Sequence, residues 1–222
     1  MTEPVLLCWS GGKDSALALQ AVLADPALRV AALVTTVTEG PQRVSLHGVR
    51  WDLVRRQADA LGLPIEAVRI RPDAAEDEYE ALMRRLLERY KEAGVARCVF
   101  GDVFLAEARD RRERNLAKVG MRGLYPIWGR PSQALARAFC ESGFRAILAC
   151  VDSGQLAPSF GGREFDAALL ADLPPGVDPC GENGEFHTFV YDGPIFRRPV
   201  PVVRGETVER KGFWFFDLTA KE

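Results

Sequence analysis

Apolar residues gather along this chain in two rhythms. Short apolar runs stand at residues 5–9, 30–37, 64–70 and 97–101; the first three are rich in valine, leucine and isoleucine, and the first two carry no charge at all. Such runs read as strands, the uncharged ones as strands covered on both faces. Between them, residues 14–24, 49–61, 74–93 and 105–119 carry helical spacing, as at Ala16, Leu17, Leu19, Ala21, Val22 and Leu23. Gly62 and Gly94 stand just past two of these stretches as helix stops. Strand and helix alternate in this way to about Gly120, which predicts an α/β fold with a doubly wound, mostly parallel, Rossmann-like sheet. The binding crevice of such a sheet lies at the carboxyl ends of its strands.

Beyond Tyr125 the texture changes. Pro126, Gly129 and Pro131 break the rhythm, a helix is expected at 132–142, and an apolar run fills 145–151. A loop-rich stretch with Pro158, Gly161, Gly162, Pro174, Pro175 and Pro179 follows. Alternation at 199–208 and 212–218 reads as short strands. The expected division is a sheet-forming domain at 1–125 and a smaller C-terminal mixed α/β domain at 126–222 that closes over the crevice.

The chemistry concentrates where the first run stops. Ser10-Gly11-Gly12-Lys13-Asp14-Ser15 joins the first strand to the first helix. A strand end, a glycine turn and a fresh helix N-terminus make a cradle for phosphate, because backbone N–H groups converge there and the helix dipole favours an anion. Lys13 adds a positive charge. The order differs from Gly-x-x-x-x-Gly-Lys-[Ser/Thr], since the glycines are adjacent and Asp14 follows the lysine. Residues 35–40, with Thr35 and Thr36, follow the second strand, and Gly101-Asp102 follows the fourth, so three polar clusters share one rim. His47 lies near that rim ahead of a helix, which suits contact with nucleotide or substrate.

The six-residue loop resembles that of the PP-loop ATP pyrophosphatases, whose Ser-Gly-Gly-x-Asp-Ser holds the pyrophosphate end of ATP while the α-phosphate is attacked. That resemblance implies an adenine nucleotide alpha hydrolase-like fold. A second segment reads Cys180-Gly181-Glu182-Asn183-Gly184-Glu185-Phe186-His187-Thr188, followed by Tyr191-Asp192-Gly193-Pro194-Ile195-Phe196. With Gly101-Asp102 it is similar to the diphthine-ammonia ligase family within that group, over nearly the whole chain to Phe196. Asn183 stands where that family usually has glycine, and His187 where it has an acidic residue. Glu107-Ala108-Arg109-Asp110-Arg111 keeps only the arginines of the family's Tyr-Gln-Arg-x-Arg. These departures resemble a bacterial-type variant and leave open a small-molecule acceptor such as a cobalamin-related compound.

The resemblance implies a ligase that adenylates a carboxylate with ATP and amidates it with ammonia, releasing AMP and pyrophosphate. Residues 1–125 would bind ATP and 126–222 the acceptor. Ser10, Gly11, Gly12 and Ser15 would hold phosphate, Lys13 would neutralise the departing pyrophosphate, Thr35 and Thr36 would face adenine, and Asp102 with residues 181–188 would shape the acceptor end. Asp14 reads either as a Mg²⁺ ligand, since a carboxylate beside a phosphate cradle is repulsive unless a cation intervenes, or as a helix cap. Asp102 reads as a polar contact on the rim or as a turn residue ahead of a helix. Glu182 and Glu185 suit Mg²⁺ coordination or activation of an incoming amine, against a solvated loop. His187 reads as a proton carrier, as a group orienting a carboxylate, or as structural. The run Arg109, Arg111, Arg112 and Arg114 reads as a solvated helix face from which one arginine can turn toward an anion.

Composition narrows the choice. The 222 residues are 47% apolar and 27% charged, which describes a globular chain. The 29 Lys and Arg against 31 Asp and Glu leave a net charge of −2, which disfavours a nucleic-acid partner. Cys8, Cys98, Cys140, Cys150 and Cys180 form no Cys-x-x-Cys pair, so the usual zinc and iron–sulfur spacings are missing. Cys8, Cys98 and Cys150 lie in apolar runs and are expected in the core. No apolar stretch reaches the ~20 residues a membrane helix needs. Glu3 and Pro4 lead straight into a strand without the features of a signal peptide, so a cytoplasmic protein is expected. Phe213, Trp214, Phe215 and Phe216 are expected in the core or at a homodimer contact. Sulfur transfer to a nucleobase would need a sulfur-carrying cysteine and a basic surface, and neither is legible. A nucleotide sensor without turnover stays open.

Overall fold

The computed structural model describes residues 2–45 and 47–221. Strand β1 (Glu3–Cys8) runs parallel to β2 (Leu28–Thr38) on one side and to β5 (Arg97–Val99) on the other. β4 (Ile65–Ile70) pairs parallel with β2, and β6 (Arg122–Leu124) parallel with β5, so the parallel strands run β4-β2-β1-β5-β6. β3 (Arg43–Val44) pairs antiparallel with the far end of β2, Val37 opposite Val44.

Alternate residues of β1 go to opposite faces, as the two-residue period of a strand demands. Val5 and Leu7 join one core cluster with α1 (Lys13–Ala24) and α2 (Trp51–Leu61). Leu6 joins another with α3 (Glu76–Glu92) and α4 (Ala106–Ala117). The sheet is therefore wound on both faces, as the uninterrupted apolar runs require.

The second half builds an antiparallel sheet in the order β8-β7-β10-β9 from β7 (Arg145–Asp152), β8 (Phe186–Asp192), β9 (Val202–Arg210) and β10 (Phe213–Ala220). With α5 (Ser132–Glu141) and α6 (Ala167–Asp172) it shares the core cluster of α1 and α2, through residues such as Phe139, Leu148, Phe186 and Phe189. Trp214 and Phe216 pack against that core, and Phe215 lies against Gly48.

β6 and α6 go beyond the periodicity, as does the two-residue β3. β6 has three residues, too few to show a period, and is defined only by its pairing with β5. α6 lies inside the proline-rich stretch and starts where Asp166 Oδ1 accepts the Leu169 N–H at 2.8 Å. Among the described residues no helix is long and apolar enough to cross a membrane.

Candidate active site

β1 stops at Cys8, opposite Val34, while β2 continues four residues further to Thr38. Thr35 and Thr36 are thus strand residues rather than loop residues, and the end of β2 stands as a wall beside the loop that leaves β1. Against this wall lies a cavity of about 610 Å³. It brings together Ser10, Gly12, Lys13, Asp14 and Ser15 from the loop, Thr35 and Thr36 from β2, His47, Asp102 after β5, and Glu182 and His187 from the C-terminal half. Gly11 and Glu185 do not line it.

Gly11 is turned inward. Its φ is +82°, and a Cβ there would lie 2.7 Å from Gln57 Oε1. Its carbonyl accepts the Val190 N–H and one Gln57 amide proton, both at 2.9 Å. The rest of the loop is held by its own hydroxyls and by β8. Ser15 Oγ donates to the Gly12 carbonyl at 2.8 Å, and Thr188 Oγ1 accepts the Lys13 N–H at 3.0 Å. Gly101 lets the end of β5 abut the first turn of α1, since a Cβ there would lie 2.7 Å from the Asp14 carbonyl.

Gly12 is the N-cap of α1, so Asp14 lies inside the first turn and does not cap it. Its Oδ2 is 2.8 Å from Lys13 Nζ. Its Oδ1 is buried and has no hydrogen-bond partner among the described residues. Lys13 is only 3% exposed and also donates to the Cys180 carbonyl. Burial works against its charge, but Asp14, by its charge and its hydrogen bond, with smaller help from Cys180 and Glu182, outweighs burial and holds its pKa above the ordinary value. The ammonium also lies over the faces of Phe186 and Phe165, at 5.5 and 5.8 Å.

Glu182 and Glu185 do not act as a pair. Glu185 is fully buried and accepts the Asp178 N–H, the Asn183 N–H and the Asn183 side-chain amide at 2.9, 2.9 and 3.0 Å. It is a staple for the loop that presents its neighbour, and a glycine in place of Asn183 would lose one of its bonds. Glu182 faces the cavity, and burial, helped by the charge of Asp14, pushes its carboxyl up to about 7. Among the described residues no cluster of three or more His, Cys, Asp or Glu is placed to hold a metal.

Asp102 pairs with Arg112, with Oδ2 at 2.7 Å from Nε and Oδ1 accepting from Nη2 at 2.9 Å. It does not cap α4, whose N-cap Leu105 has no side-chain cap bond. Arg112, lying 4.6 Å over Phe100, is the member of the arginine run that turns inward to a carboxylate. His47 and His187 face each other with ring centroids 4.3 Å apart. Burial drives both toward the neutral form, His187 down to about 4 and His47 well below its ordinary value, the latter helped by His187 and then Lys13. At neutral pH His187 is therefore a hydrogen-bonding ring rather than a carrier of charge. His47 Nδ1 and Thr35 Oγ1 are buried without a partner among the described residues. Buried polar atoms left unpaired beside a cavity are open to whatever enters it, a water, an ion or a ligand.

Residues 3–123 match the Diphthamide synthase N-terminal domain, and residues 131–220 match the Diphthamide synthase C-terminal domain. The chain belongs to the diphthamide synthase family. It is 29% identical over 221 residues to a diphthine–ammonia ligase of Danio rerio, covering 90% of this chain and 86% of the relative. It is 27% identical to the diphthine–ammonia ligase of Mus musculus, with 90% and 82% covered. The Schizosaccharomyces pombe diphthine–ammonia ligase is 25% identical, and the match spans 36% of that longer chain.

Three residues of this family member escape a reading of the sequence as motifs. Gln57 is fully buried on α2, accepts Trp9 Nε1–H at 2.9 Å and donates to the carbonyls of Gly11 and Val190. Its signal was available, a polar side chain set in the apolar stripe of Leu53, Val54, Ala58 and Leu61. Thr188 was legible only as part of the 181–188 segment, yet its hydroxyl holds the loop between β1 and α1 by accepting the Lys13 N–H. Asp178 accepts the Cys180 and Glu182 N–H groups at 2.9 and 3.3 Å, and no local pattern announces it. Cys180 itself is buried, donates toward the Ser132 carbonyl, and has its thiol pushed up to about 12 by burial, which leaves it inert.

Proposed function

We propose that this chain adenylates a carboxylate at the cavity and transfers the acyl group to ammonia. As a member of the diphthamide synthase family it is an ATP-dependent, amide-forming ligase. The observation that carries the reading is a buried, charged Lys13 at the first turn of α1, on a loop braced from the C-terminal half by Thr188 and Cys180. The N–H groups and hydroxyls of Ser10, Gly12 and Ser15 hold the outer phosphates. Lys13 meets the charge that grows on pyrophosphate as the carboxylate oxygen bonds to the α-phosphorus. Asp14 Oδ1, buried and free to accept a cation, fits Mg²⁺, which is commonly bound by one or two carboxylates plus substrate phosphates. Bound there, Mg²⁺ would supply further neutralisation of phosphate charge. Thr35 and His47, with unpaired polar atoms on the β2 side, hold the base end of the nucleotide. Ammonia then forms a bond to the acyl carbon, the acyl–oxygen bond to AMP breaks, and Glu182 takes the proton that nitrogen sheds. The protein works in the cytoplasm, with ATP, ammonia and a carboxylate as its partners. Diphthine, which the relatives' name specifies, is the first acceptor to assay.

With α-labelled ATP, ammonium and an acceptor carboxylate, the label is expected in AMP, with pyrophosphate released in equal amount. Formation of ADP and phosphate would exclude the mechanism.

Glu182 predicts a pH dependence. Its carboxyl must be ionised to accept the proton, and its pKa stands at about 7. At constant free-ammonia concentration, kcat should rise as pH increases through about 7 and level off above it. In Glu182→Gln the rise should vanish and the rate fall by about 10²–10⁴, the usual worth of a positioned base. A wild-type profile flat from pH 6 to 8 removes Glu182 from the proton transfer.

A further inference from the structure

Two thiols that the proposed reaction does not use meet beside the cavity, one lining it and one behind. Cys8, the last residue of β1, lines the cavity, and its Sγ is 3.7 Å from Sγ of Cys98 on β5. In the parallel ladder Leu6 is opposite Cys98, so Cys8 lies one diagonal further along and on the same face of the sheet. The pair is asymmetric. Cys8 is half-buried and opens to the cavity, whereas Cys98 is 2% exposed behind it. The hydrogen bond with Cys98 draws the Cys8 thiol below its ordinary pKa, against burial and the charge of Asp102 and with help from the charge of Arg112. A cavity-lining thiol 3.7 Å from a second, buried thiol is the arrangement of an attacking and a resolving cysteine.

We propose that Cys8 and Cys98 form a reversible oxidation site that controls nucleotide binding. The oxidant is a hydroperoxide reaching Cys8 through the cavity. The Cys8 sulfur attacks one peroxide oxygen, an S–O bond forms, the O–O bond breaks, and with hydrogen peroxide one water leaves. The Cys98 sulfur then attacks the Cys8 sulfur, the S–S bond forms, the S–O bond breaks, and the second water leaves. Two electrons pass from the two thiols to one peroxide, so the balance closes.

The geometry links this chemistry to the phosphate loop. Closing 3.7 Å to the ~2.05 Å of a disulfide draws the end of β1 toward β5. Ser10 is two residues beyond Cys8, so the loop must move with it. A bond forced across the diagonal of two paired strands departs from relaxed disulfide geometry, and strained disulfides are readily reduced. Oxidation is thus expected to be reversible by ordinary thiols.

The test reads ATP binding rather than turnover, so it stands apart from the identity of the acceptor. The fully reduced protein is titrated with hydrogen peroxide, mapped by mass spectrometry without reduction, and its ATP affinity is measured by calorimetry before and after dithiothreitol. A Cys8–Cys98 cross-link is expected, with ATP affinity lowered by about tenfold or more and restored on reduction. Cys98→Ser should bind ATP like the parent and gain oxygen on Cys8 without a cross-link. Phenylarsine oxide, which bridges paired thiols, should lower ATP affinity in the parent protein, so the result does not depend on how the variant folds. Peroxide-treated protein without the cross-link, or cross-linked protein that binds ATP as tightly as the reduced form, overturns the proposal.

Discussion

Lys13→Met is expected to lower the rate of AMP and pyrophosphate formation by about 10²–10³, the range for removing one preorganised group that meets developing charge. Methionine keeps most of the apolar stem, so packing against Phe165 and Phe186 survives while the charge is lost. The effect is large because the ammonium is 3% exposed, where water screens little and its field reaches the phosphates undiminished. Removing it also strands two acceptors, Asp14 Oδ2 and the Cys180 carbonyl. A loss of about 1–3 kcal/mol in folding stability should accompany the lost rate. Steady-state pyrophosphate release, with circular dichroism as the check on folding, measures both. Turnover within a few-fold of the parent would remove Lys13 from the chemistry.

Gln57→Leu is the larger test of structure. The side chain is completely buried and bonds to three groups, Trp9 Nε1 at 2.9 Å, the Gly11 carbonyl at 2.9 Å and the Val190 carbonyl at 2.6 Å. Leucine matches the apolar stripe of α2 but satisfies none of them. Each buried group left without a partner costs about 1–3 kcal/mol, and the carbonyl of Gly11 retains the Val190 N–H, so the expected loss is about 3 kcal/mol. It should appear as a lower guanidinium midpoint with an unchanged slope. ATP affinity should fall as well, because the Gly11 carbonyl loses one of the two bonds it accepts. A variant as stable as the parent would mean that the three-way bond contributes nothing.

The fold was largely legible because its evidence is local. The charge-free runs at 5–9 and 30–37 can only be strands with both faces covered, and they became β1 and β2. Gly62 past the second helix marked a left-handed C-cap, and α2 ends there. What escaped was short or depended on distant partners. β6 has three residues and exists by pairing with β5. Asp102 was read as a rim contact or a turn residue, and the deciding fact was the orientation of Arg112, one of four arginines on a helix with little amphipathic character. Glu182 and Glu185 carry the same chemistry three residues apart. One faces the cavity and the other is tied into its own loop because Asp178 and Asn183 donate to it, which spacing does not reveal.

By itself the sequence determined where a glycine turn meets a fresh helix N-terminus, because the strand end, the turn and the helix are consecutive and need only local geometry. It also determined the rim on which the polar clusters fall, since parallel strands joined by helices all end on one side. The tertiary structure alone decided which groups are paired. Lys13 reaches Cys180 across 167 residues and its N–H reaches Thr188 across 175, and Gln57 joins α2 to the loop and to β8. Electrostatic energy depends on distance and burial, so a carboxyl is raised to about 7 or tied down as a structural staple only when the chain has folded around it.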